Sequence, residues 1–142
     1  MFKNRWRYAV LIFLVGTISR AQVVSPNEIN DPELRSLQVQ FHYDLSKVGS
    51  EIVATKFDYP FYLSRKLDLD EDQQQRSDQT SIRFDRYGEQ VVLAISGNYY
   101  AAYSGDRVSG DRRALQSFVK VIVPILQAAV PRFQSNQMVQ GY

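Results

Sequence analysis

Residues 80–104 decide the fold, and they read TSIRFDRYGEQVVLAISGNYYAAYS. Turn signals at Tyr87-Gly88 and Gly97-Asn98 separate three runs that are rich in β-branched and aromatic residues. Two-residue turns at both points pair Phe84 with Val91 and collect one apolar face: Ile82, Phe84, Val91, Leu93, Ile95 and Tyr100. A three-residue loop at the first turn would move the apolar residues of the first strand to the opposite face. The pattern therefore predicts a three-stranded antiparallel meander.

The second face of this predicted sheet is a candidate binding surface. Val92, Tyr99 and Tyr103, with Arg83 nearby, form an aromatic and aliphatic patch on a side where solvent favours polar residues. Tyrosines beside an arginine are typical of protein interfaces. The alternative is that another element of the same domain covers the patch.

The segment before the meander combines a helix and an extended run. Asp31-Pro32-Glu33 has the composition of a helix start, and apolar residues then recur three or four positions apart until Gly49, a stop signal. Every second residue from Leu37 to Leu45 is also apolar, so a strand is the alternative, but the end signals favour a helix over residues 31–48. Residues 51–69 alternate in the manner of strands.

The segment after the meander predicts a long closing helix. Residues 109–130 carry one narrow polar stripe, and most of their other positions are apolar. Pro124 lies on that stripe, where a kink is tolerated, and Pro131 is expected to end the helix. A polar tail, residues 132–142, follows. The helices and the sheet together predict one α+β domain over residues 31–131.

The first 21 residues have the organisation of a secretory signal peptide. A basic start with Lys3, Arg5 and Arg7 precedes an apolar run of 11 residues and a small residue at the expected cleavage point, Ala21. The run is shorter than the roughly 20 residues that span a bilayer. The alternatives are a buried helix and an uncleaved anchor. Residues 22–30 would form a linker after cleavage.

Cleavage also changes the charge of the chain. The first 21 residues hold four basic and no acidic residues, so 13 basic and 15 acidic residues remain, and the net charge changes from +2 to −2. The basic character therefore belongs to the export signal, and it gives no support to a nucleic-acid partner. We expect a bacterial protein exported to the periplasm or the exterior, without a membrane span after cleavage.

Few residues could carry catalysis or metal binding. The absence of cysteine excludes disulfides, thiol nucleophiles and cysteine-built metal sites. His42 is the only histidine, which excludes a multi-histidine zinc site. Asp68, Asp70 and Asp72 match the beginning of a calcium loop, but the glycine and glutamate that the loop needs later are absent. They form a partial calcium motif, and no cofactor is indicated.

These observations favour an exported domain that acts without catalysis. We expect it to work through protein–protein contacts or as a homo-oligomer, with the tyrosine face and the apolar sides of the closing helix as contact surfaces. Two alternatives stay open: a small secreted hydrolase that uses carboxylates, and a carrier with an apolar pocket between the last helix and the sheet.

Overall fold

Helices and short antiparallel strands alternate in the computed structural model, which describes residues 22–102 and 107–142. The order of the helices and strands is α1 (Pro32–Gln40), α2 (His42–Ala54), β1 (Phe61–Leu63), α3 (Glu71–Arg76), β2 (Arg83–Tyr87), β3 (Gln90–Ala94), β4 (Gly97–Tyr99), α4 (Gly110–Ser117) and α5 (Val123–Phe133). A 3₁₀ turn at Pro26–Glu28 precedes α1, and a π-helical turn at Phe118–Ile122 joins α4 to α5. The predicted α+β class with a long C-terminal helix is confirmed.

Strands β2 and β3 form the predicted hairpin with a shifted register. Phe84 pairs with Leu93, and not with Val91, because the turn lies at Gly88-Glu89, one residue later than predicted. Gly88 has a φ of +61°, as the first central residue of a type II′ turn requires. The shift moves the pairing by two residues, so the faces are unchanged. The apolar face is buried as predicted: Ile82, Phe84, Val91 and Leu93.

The third strand of the predicted meander pairs elsewhere. Strand β4 leaves β3 after Ala94 and pairs antiparallel with β1, so the sheet consists of two separate ribbons. Gly97, taken as a turn residue, is a strand residue opposite Leu63. A Cβ at Gly97 would lie 2.5 Å from the carbonyl oxygen of Tyr62 and 2.6 Å from the ring of Phe61. The glycine therefore permits a close contact between β4 and β1. The prediction missed this contact because Gly97-Asn98 was interpreted as a turn signal.

The region before β1 contains two helices and little strand. Asp31 caps α1 as predicted, and its carboxylate accepts from the backbone N–H of Glu33 at 2.9 Å. The single helix predicted over residues 31–48 is divided at Phe41, and Gly49 lies inside α2. The strands predicted over residues 51–69 are also wrong, because α2 continues to Ala54 and only β1 is extended. Leu45, Val48, Gly49 and Ile52 are the buried face of α2, so helical spacing overrides the alternation there.

Both terminal segments of the described chain complete the hairpin. Residues 22–30, predicted to be a linker, contribute buried Val23 and Val24 to the core, and Val23 bridges Ile82 in parallel. The polar tail lies on the other side, where Gly141 bridges Val92. Strand edges carry unpaired backbone groups, and these two segments supply the partners. The hydrogen bond from the backbone N–H of Leu93 to the Gly141 carbonyl, 2.9 Å long, is one of them.

The C-terminal helix packs on this core through its second half. Ala129 and Phe133 are buried, and Phe133 meets Phe84 edge to face with ring centres 5.7 Å apart. Pro131 does not end the helix as predicted; it lies within the last turns of α5, before Phe133. The carbonyl that it leaves unbonded belongs to Gln127, an exposed residue, so water can satisfy it.

Candidate interaction surface

Helix α4 and the π turn that follows it carry a row of exposed apolar side chains. Leu115, Phe118, Val119 and Ile122, the last three in the π turn, are 43–62% exposed, and we call them the helix stripe. Their spacing of three or four residues places them on one side of the helix. No residue of α4 is buried. An apolar face of this kind on a folded domain marks a candidate contact site.

The π turn explains why the stripe faces away from the core. The backbone N–H of Val123 bonds the carbonyl of Phe118, five residues earlier, because Pro124 cannot donate a hydrogen bond in the next position. A π turn inserts about one extra residue, which rotates α4 relative to α5 by roughly 100°. The apolar positions of α4 are therefore out of phase with the buried face of α5.

The whole helix Gly110–Phe133 has 24 residues and is long and apolar enough to cross a membrane, although only 22% of its apolar window is buried in the fold. The two halves differ in their surroundings. Ile125, Ala128 and Ala129 of α5 are core residues, whereas α4 contributes no buried residue. The apolar character of α5 thus has a structural role, and that of α4 does not.

A groove adjoins the helix stripe, and we call it the ribbon groove. It has a volume of about 460 Å³ and lies between the C-terminal helix and the β1–β4 ribbon. Phe61, Leu67 and Tyr99 form the ribbon side, and Val121, Ile122 and Ile125 form the helix side. Ile122 belongs to both the stripe and the groove, so the two make one continuous apolar surface.

Charged groups border this surface. Lys120 and Asp58 form an ion pair at 3.0 Å, and the hydrogen bond from Lys120 to Asp58 raises the pKa of the lysine. Arg112 and Arg113 near the start of α4 are exposed and form no ion pair with the described residues. The surface thus has an apolar centre and a predominantly basic border along α4.

The structure separates the predicted binding residues. Tyr99 lines the ribbon groove, where Tyr59 packs edge to face against it with ring centres 6.1 Å apart. Arg83 and Val92 lie on the hairpin instead, where Arg83 pairs with Asp85 at 2.8 Å and Val92 is covered by Gly141. Tyr103 lies outside the described residues. Tyr99 is therefore separated from Arg83 and Val92, since β4 has left the hairpin.

No protein-family model matches the chain, and no curated protein or solved structure is significantly similar to it. A function can therefore be proposed only from the fold and from the geometry of the candidate sites.

The three aspartates of the partial calcium motif do not come together as a cation site. The carboxylate of Asp70 caps α3 and accepts from the backbone N–H of Gln73 at 2.8 Å. The backbone of Asp68 has a φ of +59°, and its N–H donates to the side-chain oxygen of Asn98. Within residues 22–102 and 107–142, no group of three acidic or histidine side chains could hold a metal ion.

A second concavity of about 460 Å³ holds carboxylates beside arginines. Glu28 pairs with Arg65 at 2.6 Å, and Asp31 pairs with Arg86 at 2.8 Å. Hydrogen bonds from these arginines lower the pKa of both carboxyl groups. A general acid for hydrolysis needs a raised pKa, so this cleft does not supply one from these two groups.

Sequence reasoning identified the apolar sides of the closing helix and Tyr99, but not the other wall of the groove. Leu67 and Phe61 belong to residues 51–69, for which the alternating pattern predicted longer strands. Their position opposite the helix depends on the pairing of β1 with β4, which joins residues about 36 positions apart. No local signal could have found that pairing.

Proposed function

We propose that the protein is an exported, non-catalytic domain that acts through protein–protein contacts, self-association included, with the helix stripe and ribbon groove as its contact surface. The observation that carries the proposal is that α4 buries no residue and that Leu115 on α4 and Phe118 in the adjoining π turn are 62% and 51% exposed. Such a patch gains free energy when another surface removes it from water.

The composition of the surface supports contact with protein. Aromatic residues and arginine are enriched at protein interfaces, and the surface combines Phe118, Tyr99 and Phe61 with Arg112 at its border. The concavity beside Arg65 offers no comparable support for catalysis, because hydrogen bonds from arginines lower the pKa of Glu28 and of Asp31.

Self-association is tested by sedimentation velocity over a range of concentrations on protein purified after expression of the full chain. We expect the wild type to sediment faster as concentration rises and Phe118→Ser to stay monomeric. Val53→Ser is the matched control, because Val53 on α2 is 63% exposed but belongs neither to the helix stripe nor to the lining of the ribbon groove. Equal sedimentation of wild type and Phe118→Ser up to millimolar concentration would contradict self-association through this surface.

The export part of the proposal rests on residues 1–21, which lie outside the described residues. Mass spectrometry of the protein recovered from outside the cytoplasm should show a chain that begins at Gln22. Recovery of the uncleaved chain from the membrane fraction would indicate that residues 1–21 are an uncleaved anchor and not a cleaved signal. A product that stays in the cytoplasm would contradict export.

The ribbon groove also favours a second candidate function, an apolar-ligand carrier. Its position between the last helix and the sheet is the one expected for such a pocket, and its volume lies within the range of small-molecule sites. A fluorescent fatty acid should bind the wild type, and Leu67→Asp should abolish this binding. Leu67 is an exposed residue of the groove wall. Equal binding by both would locate the ligand elsewhere.

A further inference from the structure

We infer that Gln22 is a modification site. Once cleavage after Ala21 makes Gln22 the first residue, its side-chain amide closes on its own α-amino group to form a neutral pyroglutamyl ring. The ring stays docked beside Gly49 and the two residues that precede β2. The inference goes beyond the contact function, and it rests on the export part of the proposal, which places the cleavage after Ala21.

The structure holds residue 22 at a fixed place on the hairpin. Its backbone carbonyl accepts from the backbone N–H groups of Ser81 at 2.9 Å and of Ile82 at 3.0 Å. The next two residues, Val23 and Val24, are buried in the core. Terminal residues are commonly poorly ordered unless contacts of this kind tie them down. The residue that cleavage exposes is therefore an integral part of the fold and not a loose end.

Ring closure leaves these two hydrogen bonds intact. The α-amino nitrogen attacks the side-chain carbon Cδ, a new C–N bond forms, and the bond from Cδ to Nε2 breaks. Nε2 leaves as ammonia with one proton from the α-amino nitrogen, so the step consumes no oxidant and no other reactant. The backbone carbonyl of Gln22, which accepts from Ser81 and Ile82, takes no part in it.

The surroundings of residue 22 favour the closed ring over a free terminus. Gly49, Ser81 and Ile82 are its neighbours, and none of the three carries a charge. An open terminus would place an ammonium group on this half-buried residue, and a charge that is removed from water without a partner costs free energy. The lactam is neutral, like other modifications that remove a terminal charge. The folded chain therefore stabilises the closed form relative to the open one.

Gly49 provides the space for the side chain of residue 22. A Cβ at position 49 would lie 2.9 Å from Cβ of Gln22 and 3.1 Å from its Oε1. Glycine inside a helix costs stability, and this close contact explains its presence in α2. The ring contains the same carbon atoms as the glutamine side chain and has lost Nε2, so it requires no additional volume.

Mass spectrometry and Edman degradation of the exported protein test the site. We expect the wild type to begin at residue 22, to have a mass about 17 Da below that of the unmodified chain because ammonia is lost, and to release no residue in the first Edman cycle. Gln22→Asn is the matched control, because it keeps the amide but its ring would be one atom smaller and strained. It should keep its full mass and release asparagine, and Gln22→Ala replaces it if the asparagine variant is not cleaved. A wild-type chain that begins at Gln22 with its full mass would overturn the inference.

Pyroglutamyl aminopeptidase, an enzyme that removes the ring, tests the docked position. It should act on a synthetic peptide of residues 22–30 that begins with pyroglutamate. The folded protein should lose its ring at least about tenfold more slowly, because residue 22 must first leave Ser81 and Ile82 by local opening. Equal rates for the peptide and the folded protein would overturn the docking of the ring.

The outcomes separate this inference from the proposed function. A chain that begins at Gln22 with its full mass leaves export standing and overturns only the modification. An exported chain that begins at another residue also leaves export standing and overturns the site at Gln22. Recovery of the uncleaved chain overturns both the cleaved signal and the modification. The contact surface is tested independently, by the sedimentation of Phe118→Ser.

Discussion

Replacement of Gln38 by leucine should destabilise the domain strongly, because this buried side chain joins three parts of the backbone. Its amide nitrogen donates to the carbonyl of Val24 at 2.9 Å and to that of Ile82 at 3.2 Å. Its amide oxygen accepts from the backbone N–H of Phe84 at 3.0 Å. The side chain is fully buried, so water cannot replace these bonds. Gln38 thus holds α1 against β2 and the N-terminal segment.

The magnitude follows from the groups that leucine would leave without partners. The carbonyl of Ile82 would keep one hydrogen bond, because it also accepts from the backbone N–H of Val24 at 3.0 Å. The carbonyl of Val24 and the N–H of Phe84 lose the partner that Gln38 provides. An unsatisfied buried polar group costs roughly 1–3 kcal/mol, and leucine nearly conserves the volume of glutamine. With two such groups, we therefore expect the free energy of unfolding to fall by about 2–6 kcal/mol.

Urea denaturation followed by far-UV circular dichroism measures this change. Tryptophan fluorescence is unsuitable, because the only tryptophan, Trp6, precedes the expected cleavage point. Gln40→Leu is the matched control, since Gln40 lies on the same helix but is exposed, and its stability should change by less than about 0.5 kcal/mol. Equal free energies of unfolding for Gln38→Leu and Gln40→Leu would refute the assigned role of the three hydrogen bonds.

Two further predictions concern the cap of α1 and the β1–β4 ribbon. The hydrogen bond from Arg86 lowers the pKa of Asp31, so its stabilising effect is present above about pH 4 and lost as the pH falls through the lowered value. Asp31→Asn keeps a capping oxygen but loses the ion pair with Arg86. The difference in free energy of unfolding between wild type and Asp31→Asn, measured by urea titration, should therefore shrink from pH 6 to pH 2. A constant difference would contradict the ion pair. Gly97→Ala should lower stability by about 1–3 kcal/mol in thermal unfolding, because its Cβ meets backbone. Gly110→Ala, which meets nothing within 4 Å, should be neutral or slightly stabilising, and equal losses at both positions would refute the contact argument.

Local signals predicted local structure in this chain. The cap at Asp31 and the buried face of the hairpin both follow from residues within a few positions of one another. The turn was predicted one residue too early, but the predicted faces are still correct. A shift of one residue in the turn changes the pairing by two residues, which keeps each side chain on the same face. The period of the pattern is therefore more informative than the position of the turn.

The failures have a common physical cause in close packing between distant segments. Gly49 and Gly97 were taken as a stop and a turn, but a Cβ at Gly49 would lie 2.9 Å from Gln22, and one at Gly97 would meet the β1 backbone. Both glycines make room for another segment. Composition cannot separate a glycine that bends the chain from one that admits a neighbour, because both need only the absence of a side chain. For this reason the sequence did not predict the position of β4 or the groove beside it.

The division of the C-terminal helix makes fold stability and surface contact separable. Phe133 of α5 packs with Phe84 in the core, so its truncation should unfold the domain, whereas Phe118 contributes exposed area and little to the core. A chain without cysteine has no disulfide to compensate for a damaged core, so the fold depends on packing contacts such as this one. Folding alone gives no reason for the apolar residues of the helix stripe, since polar residues at those exposed positions would be equally compatible with the helix. Their apolar character is therefore better explained by contact with another surface, as the proposed function requires.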